Sequence, residues 1–233
     1  MKYLWIFFLI IPSASAEDIN EVIQSTMDSI NKVETYQFFL IKREMVDNKD
    51  TGYQYIQAVV QTEPLKVYLK FLKPKRVAGR EALYQDGELI IRRGGTRMAD
   101  LVLHLDPLSP LAMDGNRYPI THMNPKVICK QLVEKVRNEI AFDPKIVTRP
   151  AIYNKQKGIH YKLTHNKKEK GMECKTAEMI ISTDYNLPIY FKAVNWADKI
   201  VEEYAFSHVV VNAELPAGTF SKDNPKYGLR RPE

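Results

Sequence analysis

The chain is short of the residues and motifs from which most enzyme active sites are built. Its two cysteines do not form a C-x-x-C pair, which excludes a thioredoxin-like redox motif. No two of its five histidines are spaced H-x-x-x-H, and the nearest two, His160 and His165, would face opposite sides of a continuous strand. The G-x-S-x-G, P-loop and dinucleotide glycine patterns are also missing. We therefore expect no catalysis, no cofactor and no metal site.

The N-terminal apolar run is too short to cross a bilayer. Residues 3–12 (YLWIFFLIIP) make a run of about ten residues, whereas a spanning helix needs roughly twenty. Lys2 precedes the run, and Ala14-Ser15-Ala16 follows it in the form that signal peptidase cleaves. We predict a signal peptide over residues 1–16 and an exported, periplasmic mature chain, with an N-terminal membrane anchor as the alternative. No Cys lies at the end of the run or at the predicted cleavage site, so we expect no lipid attachment there.

Charge of one sign is only slightly in excess. The formal net charge is +6, from 34 Lys and Arg against 28 Asp and Glu, and it is spread along the chain. The densest basic clusters, residues 66–80 and 167–170, are typical of solvated strand edges and a loop, or of a surface attracted to anionic lipid head groups. Export disfavours nucleic acid as a partner. With no Pro/Gly/Ser linker and no repeat, residues 17–233 are predicted to form a single domain.

The two cysteines would meet an oxidising compartment after export, where disulfides persist. A bond between Cys129 and Cys174 would close a loop of about 45 residues, worth about 3–4 kcal/mol in a chain-entropy model. We predict this bond, with two buried thiols as the alternative.

The periodicity of apolar residues predicts an α+β chain dominated by one curled antiparallel sheet. Steps of three and four residues over 19–33 indicate a first helix, and a second is predicted over 124–140 with Asn124 as N-cap and Pro125 at its first position. Alternating segments joined by short turns predict about ten strands. Residues 106–119 contain three prolines and predict an ordered, irregular loop over the sheet.

Such a sheet encloses a hollow, for which the sequence allows two outcomes. Either the helices fill the hollow as a core, or part of it stays open for an acyl chain or another apolar ligand. Alternation along the strands assigns the inward positions, and one loop residue, Met113, is added to them. The candidates for ligand contact are Phe38, Leu40, Ile56, Val60, Val67, Leu69, Phe71 and Met113. An error of one residue in the register of a strand would turn its inward residues outward.

Several motifs resemble the bacterial domain of unknown function family 1571 (DUF1571). They are residues 64–72 (PLKVYLKFL), 77–84 (VAGREALY), 105–107 (LDP), 110–113 (PLAM) and 116–121 (NRYPIT). More loosely, the tail segment VNAELPAGTF and the order of elements resemble the LolA/LolB lipoprotein-carrier superfamily. The resemblance implies an incomplete, strongly curved β-barrel with the two helices and the proline-rich loop as a lid over an apolar cavity.

That looser resemblance also implies a function. It suggests a monomeric carrier that binds lipid or an acylated ligand without chemistry and contacts a membrane or an envelope partner protein only transiently. The carriers lock their lid helix with an Arg on a strand; Arg43 and Arg80 are candidates for that role, and Arg117 for holding the proline-rich loop. The alternative for all three is an ordinary surface cation or salt bridge. The rival functions are a non-catalytic envelope interaction protein with a filled core and a hydrolase acting on envelope material.

Overall fold

The computed structural model of the chain describes residues 16–95 and 101–229, with side chains from residue 19 onward. The predicted signal peptide lies outside the described residues except for Ala16, where the first helix begins. The helical elements are α1 (Ala16–Asn31), α2 (Pro110–Met113), a 3₁₀ turn (Ile120–Met123) and α3 (Pro125–Ile140). The strands are β1 (Thr35–Val46), β2 (Lys49–Asp50), β3 (Gln54–Thr62), β4 (Leu65–Lys73), β5 (Glu81–Gln85), β6 (Glu88–Arg92), β7 (Val102–Leu105), β8 (Lys145–Tyr153), β9 (Gln156–Thr164), β10 (Thr176–Ser182), β11 (Pro188–Val194) and β12 (Ile200–Val211).

The twelve strands within the described residues belong to one antiparallel sheet. Their order is β7-β6-β5-β4-β3-β1-β12-β11-β10-β9-β8, and β2 pairs with β1 alone. The first and last strands of the chain, β1 and β12, pair at the centre and join two meanders. The edge strands β7 and β8 do not meet, so the curved sheet stays open. This confirms the predicted incomplete barrel, with twelve strands where periodicity indicated about ten.

The helices α1 and α3 pack together on the concave face. Ile23 of α1 and Val136 of α3 share a hydrophobic core with inward strand residues such as Phe38. The cap predicted for α3 is present: the Asn124 side chain accepts a hydrogen bond from the Lys126 backbone N–H at 3.0 Å. Within the described residues, no helix combines the length and the apolar composition needed to cross a membrane.

The proline-rich loop contains more regular structure than its prolines suggested. One helical turn, α2, forms because Ser109 caps it through a hydrogen bond from the Ala112 N–H and Pro110 supplies a helical φ at the first position. The 3₁₀ turn follows ten residues after the start of α2. Residues 106–123, with both turns, lie over the sheet and are called the cover segment below.

The C-terminal tail covers the opposite face of β4–β6. Tyr68, which alternation places on the outer face, is buried in a second apolar cluster with Leu83 and Leu229. Its ring stacks on Tyr227 with the centroids 3.8 Å apart. The sheet is therefore covered on both faces in this region, which local alternation could not show.

The predicted disulfide is not formed, because Cys129 and Cys174 are both buried free thiols. Cys174 lies beside Glu139, near the end of α3. Glu139 is ten residues from Cys129 along the helix, a distance of about 15 Å at 1.5 Å per residue. A disulfide needs Cα atoms within about 7 Å. The structure therefore shows the alternative of two buried thiols.

Candidate ligand-binding cavity

A cavity of about 150 Å³ lies between the concave face of the sheet and the cover segment. Its floor is apolar from β1 to β7, and α3 closes one side. The helix α1 fills a different part of the hollow, since none of its residues reaches this cavity. The hollow is thus partly core and partly open. The apolar residues lining it from the sheet are Leu40, Ile56, Leu69, Phe71, Ala82, Leu89, Ile91, Leu103, Leu105 and Phe206.

The size of the cavity limits what the closed form can hold. An apolar cavity of about 150 Å³ accommodates a group the size of benzene, whereas pockets for larger ligands usually measure about 300–1,000 Å³. A long acyl chain therefore needs the cover segment to move outward. Leu111 of α2 lines the cavity and yet is 54% exposed, which places the opening beside this helix.

The inward residues predicted from the sequence divide into two groups. Leu40, Ile56, Leu69 and Phe71 line the cavity. Phe38, Val60 and Val67 share their face of the sheet but belong to the packed core. Met113 does not line the cavity, although its neighbours Ala112 and Asp114 do. The face assignment is therefore sound, and a role of these residues in ligand binding stays a prediction.

One wall of the cavity is polar, although it is buried. Glu44 of β1 and Glu202 of β12 are each 2% exposed and face the interior beside apolar residues. Side chains from the cover segment and α3 surround them. We call this group the buried charge cluster; it consists of Lys42, Glu44, Asn116, Arg117, Tyr118, Lys135, Glu202 and Tyr204.

Glu44 holds the first half of the buried charge cluster together. Its carboxylate accepts hydrogen bonds from Lys42 Nζ at 3.0 Å, from the Tyr204 hydroxyl at 2.6 Å and from the Arg117 backbone N–H at 3.1 Å. Burial raises the pKa of Glu44, but Lys42 and the hydrogen bonds outweigh burial and the pKa lies below its ordinary value. The carboxylate is therefore ionised at neutral pH. Lys42 also donates to the Asn116 side chain at 2.9 Å.

Glu202 holds the second half. Its carboxylate accepts from the Tyr118 hydroxyl at 3.0 Å and from Lys135 Nζ, and Arg117 Nε lies 3.8 Å away. Lys135 donates to the same Tyr118 hydroxyl at 2.9 Å. Burial lowers the pKa of Lys135, but Glu202 and the hydrogen bonds raise it by more than burial lowers it. The net shift of the pKa is upward, so the amine is charged. The hydroxyl of Tyr204 lies 3.3 Å from Glu202 and links the two halves.

The buried charge cluster ties four parts of the fold to one another. Asn116, Arg117 and Tyr118 belong to the cover segment, and their partners lie on β1, β12 and α3. Removing one partner of a buried charge pair typically costs about 3–5 kcal/mol, because the other charge is left uncompensated. The two close charge pairs lie on β1, β12 and α3, and the hydrogen bonds of Asn116, Arg117 and Tyr118 attach the cover segment to them.

The three arginines singled out from the sequence have different surroundings. Arg117 lies in the buried charge cluster, where its backbone N–H donates to Glu44, and the role of its side chain in holding the loop stays a prediction. Arg43 donates from Nε to Asp50 at 3.1 Å within its own hairpin and packs over Tyr53. It faces away from the cavity, so the lid-locking candidacy of Arg43 is not supported by its position. Arg80 lies in the cavity wall.

Sequence reasoning missed most of the buried charge cluster, although part of the signal was present. Lys42 and Glu44 share the even-numbered face of β1 with Phe38 and Leu40, so alternation places both charges inside. Buried charges are seldom found without partners. Because Lys42 and Glu44 continue an apolar face, the sequence predicts that they belong to a buried network. It does not identify their partners in that network.

A second cavity of about 290 Å³ lies behind Lys135 and Glu202. Its lining is mixed, with Val136 and Phe191 beside the charged side chains of Glu139 and Glu173. The first cavity has the continuous apolar wall and is the better site for an apolar ligand. Among the described residues, no group of His, Cys, Asp or Glu side chains is placed to hold a metal ion.

The family model for proteins of unknown function, DUF1571, matches residues 33–229. The chain belongs to this family. No curated protein matches the chain.

Solved structures resemble the family member at the level of the fold. The Mycobacterium tuberculosis lipoprotein LppX is 11% identical, with a TM-score of 0.54, and the match covers 87% of this chain and 99% of LppX. MucB is 12% identical, with a TM-score of 0.54, covering 88% of this chain but only 63% of MucB. The LolA superfamily protein NE2245 from Nitrosomonas europaea is 10% identical, covering 88% and 97% of the two chains, with a TM-score of 0.37.

Proposed function

We propose that the protein is an exported, non-catalytic carrier that binds lipid or an acylated ligand in the cavity beneath the cover segment. The apolar cavity supports the proposal, because it stays open in the concave face although α1 packs beside it and α3 closes one side. The fold likeness to a lipoprotein, LppX, supports it. The rival reading, an interaction protein with a filled core, is disfavoured by the same cavity.

The energetics favour a cover segment that opens only for its ligand. Four hydrogen bonds with charged groups hold the segment: Lys42 donates to Asn116, the Arg117 backbone N–H to Glu44, the Tyr118 hydroxyl to Glu202, and Lys135 to the Tyr118 hydroxyl. At about 1.5–3 kcal/mol each, they are worth about 6–12 kcal/mol together. Burying a dozen methylenes yields on the order of 10 kcal/mol before ordering costs. The two quantities are similar, so ligand entry can offset the release of the cover segment.

A binding assay tests the carrier proposal directly. The mature chain, residues 17–233, is stripped of lipid and titrated with N-phenyl-1-naphthylamine, a neutral apolar dye that fluoresces when bound. Ala82→Phe fills the cavity from its floor and should abolish binding, because Ala82 lines it from β5. Ala197→Phe adds the same ring in an exposed turn and should bind the dye normally. A folded wild-type protein that binds neither the dye nor a fatty acid would support the interaction protein instead.

Export is tested separately from binding. The predicted cleavage after Ala16 implies that protein recovered from the cell envelope begins at Glu17. Intact-mass measurement of that protein checks the site. A mass that retains residues 1–16 would indicate the membrane-anchor alternative.

A further inference from the structure

Arg80 is a charged side chain set into the apolar wall of the cavity. Its Nε is buried and has no hydrogen-bond partner among the described residues. Its guanidinium lies over the Phe71 ring, with Cζ 5.5 Å from the centroid. Buried polar atoms in native proteins are nearly always paired, so this donor, on a side chain that lines the cavity, is available to an acceptor that enters it.

The backbone of Arg80 is held rigidly by its neighbours. Its N–H donates to the Val77 carbonyl at 3.0 Å, and its carbonyl accepts from the Phe71 N–H at 2.9 Å. Gly94 packs directly against this turn: a β-carbon there would lie 2.2 Å from the Arg80 nitrogen. The turn therefore fixes the backbone position from which the Arg80 side chain reaches the cavity wall.

The other charges around the cavity leave a small positive excess. Lys42 pairs with Glu44 and Lys135 with Glu202, so both cations are neutralised. Burial lowers the pKa of His122, which is uncharged at neutral pH. Among the described side chains that line the cavity, the remaining charges are those of Arg80, Arg93 and Asp114.

The three remaining charges differ in their position and in their effect on the pKa of Arg80. Arg93 is exposed and lines the cavity, so it lies at the mouth. Burial lowers the pKa of Arg80, and Arg93 and Arg76 lower it further, while Asp114 of the cover segment opposes them. An arginine stays protonated in spite of such a shift. One cation thus remains in excess where the apolar floor begins.

We propose that Arg80, with Arg93 at the mouth, binds the anionic head group of an amphiphile whose chain enters the apolar cavity; the inference rests on the carrier function proposed above. A guanidinium matches the oxygens of a carboxylate or a phosphate in geometry and charge. A neutral head group would leave the Arg80 donors without a charged acceptor, and a cationic one would be repelled. The ligand class is therefore an acidic lipid or fatty acid.

Asp114 links this head-group site to the cover segment. Its carboxylate raises the pKa of Arg80, whereas burial, Arg93 and Arg76 lower that pKa. Asp114 therefore stabilises the charged guanidinium. A bound carboxylate or phosphate would compete with Asp114 for the guanidinium. Removing the Asp114 charge should therefore tighten binding of an anionic amphiphile and leave a neutral one unaffected.

Four twelve-carbon amphiphiles with different heads test the inference. Dodecyl phosphate, dodecanoate, 1-dodecanol and dodecyltrimethylammonium are tested for displacement of the bound dye, the alcohol below its solubility limit and the others below their micelle concentrations. We expect the two anions to bind at least about tenfold more tightly than the alcohol, the usual order of effect for a charge-assisted hydrogen bond. Arg80→Met should reduce this ratio to within about twofold while the dye still binds, and Asp114→Asn should increase it. Arg43→Met, on the other face, is the matched control and should change nothing.

The outcomes separate the inference from the carrier proposal. Dye binding with equal affinity for anion and alcohol overturns the head-group site and leaves the carrier function standing, whereas a folded protein that binds no probe overturns the carrier function. A preference that persists in the Arg80→Met/Arg93→Met double variant places the anion elsewhere and overturns the inference. Inorganic phosphate that binds as tightly as dodecyl phosphate would identify a free anion as the ligand and also overturn it. If Arg80→Met does not fold, Arg80→Lys must retain dye binding and lose part of the preference.

Discussion

Neutralising Glu202 tests whether the buried charge cluster stabilises the fold through its charges. Glu202→Gln keeps the shape of the side chain and an oxygen that can accept from Tyr118. It removes the negative charge that faces Lys135 and, 3.8 Å away, Arg117. The two cations then remain beside a largely apolar cavity without their counter-charge.

The structure sets the expected magnitude. Breaking a buried charge pair costs about 3–5 kcal/mol. The Glu202 side chain is 3% exposed, but Lys135 is 21% exposed and can recover some hydration. We therefore expect the lower end of the range, a loss of about 3 kcal/mol in the free energy of unfolding. For a chain of this length, that loss corresponds to a melting temperature lower by roughly 6–12 °C.

Urea unfolding at pH 7, followed by far-UV circular dichroism, measures this loss. Glu203→Gln is the matched control, because Glu203 is the next residue on the opposite face and accepts only from Tyr53 and Tyr190 among the described side chains; it should cost less than about 1 kcal/mol. Adding Lys135→Met to Glu202→Gln should restore part of the stability, since it removes the uncompensated amine. If Glu202→Gln costs no more than Glu203→Gln, the cluster does not stabilise the fold through charge.

Three further predictions concern pH, packing and the thiols. The pKa of Glu44 lies below its ordinary value of 4.5, so the stabilising effect of this carboxylate is complete above pH 4.5 and is lost as the pH falls through the lowered value. Urea unfolding from pH 7 to 3 should therefore show a steeper loss of stability for the wild type than for Glu44→Gln. Equal slopes would contradict the pairing of Glu44. Gly94→Ala should cost about 1–3 kcal/mol, because the new β-carbon meets the Arg80 backbone, and an unchanged urea midpoint would show that the turn adapts freely. Burial raises the pKa of Cys129 to about 11 and that of Cys174 to about 12, so at pH 8 both should react with Ellman's reagent only after unfolding, and a Cys129–Cys174 peptide in a non-reducing map would contradict the structure.

The secondary structure and the inward face of the sheet could be predicted because both depend on local periodicity. Side chains alternate along a strand wherever it runs, so Leu40, Ile56, Leu69 and Phe71 were assigned to one face before their partners were known. The cap of α3 is equally local, since Asn124 and Pro125 act within one turn. The family resemblance added the incomplete barrel and the lid, which periodicity alone does not specify.

Only the tertiary structure decided which distant residues meet. Glu44 and Tyr204 lie 160 positions apart and share a 2.6 Å hydrogen bond because β1 and β12 pair at the centre of the sheet. The disulfide prediction failed for the same reason: sequence separation does not report that ten residues of helix lie between Cys129 and the neighbourhood of Cys174. The unpaired Nε of Arg80 is also a property of three-dimensional packing, since any residue of the chain could have supplied its acceptor. Local order follows from neighbouring side chains, whereas a cavity and its charges depend on how remote segments close around it.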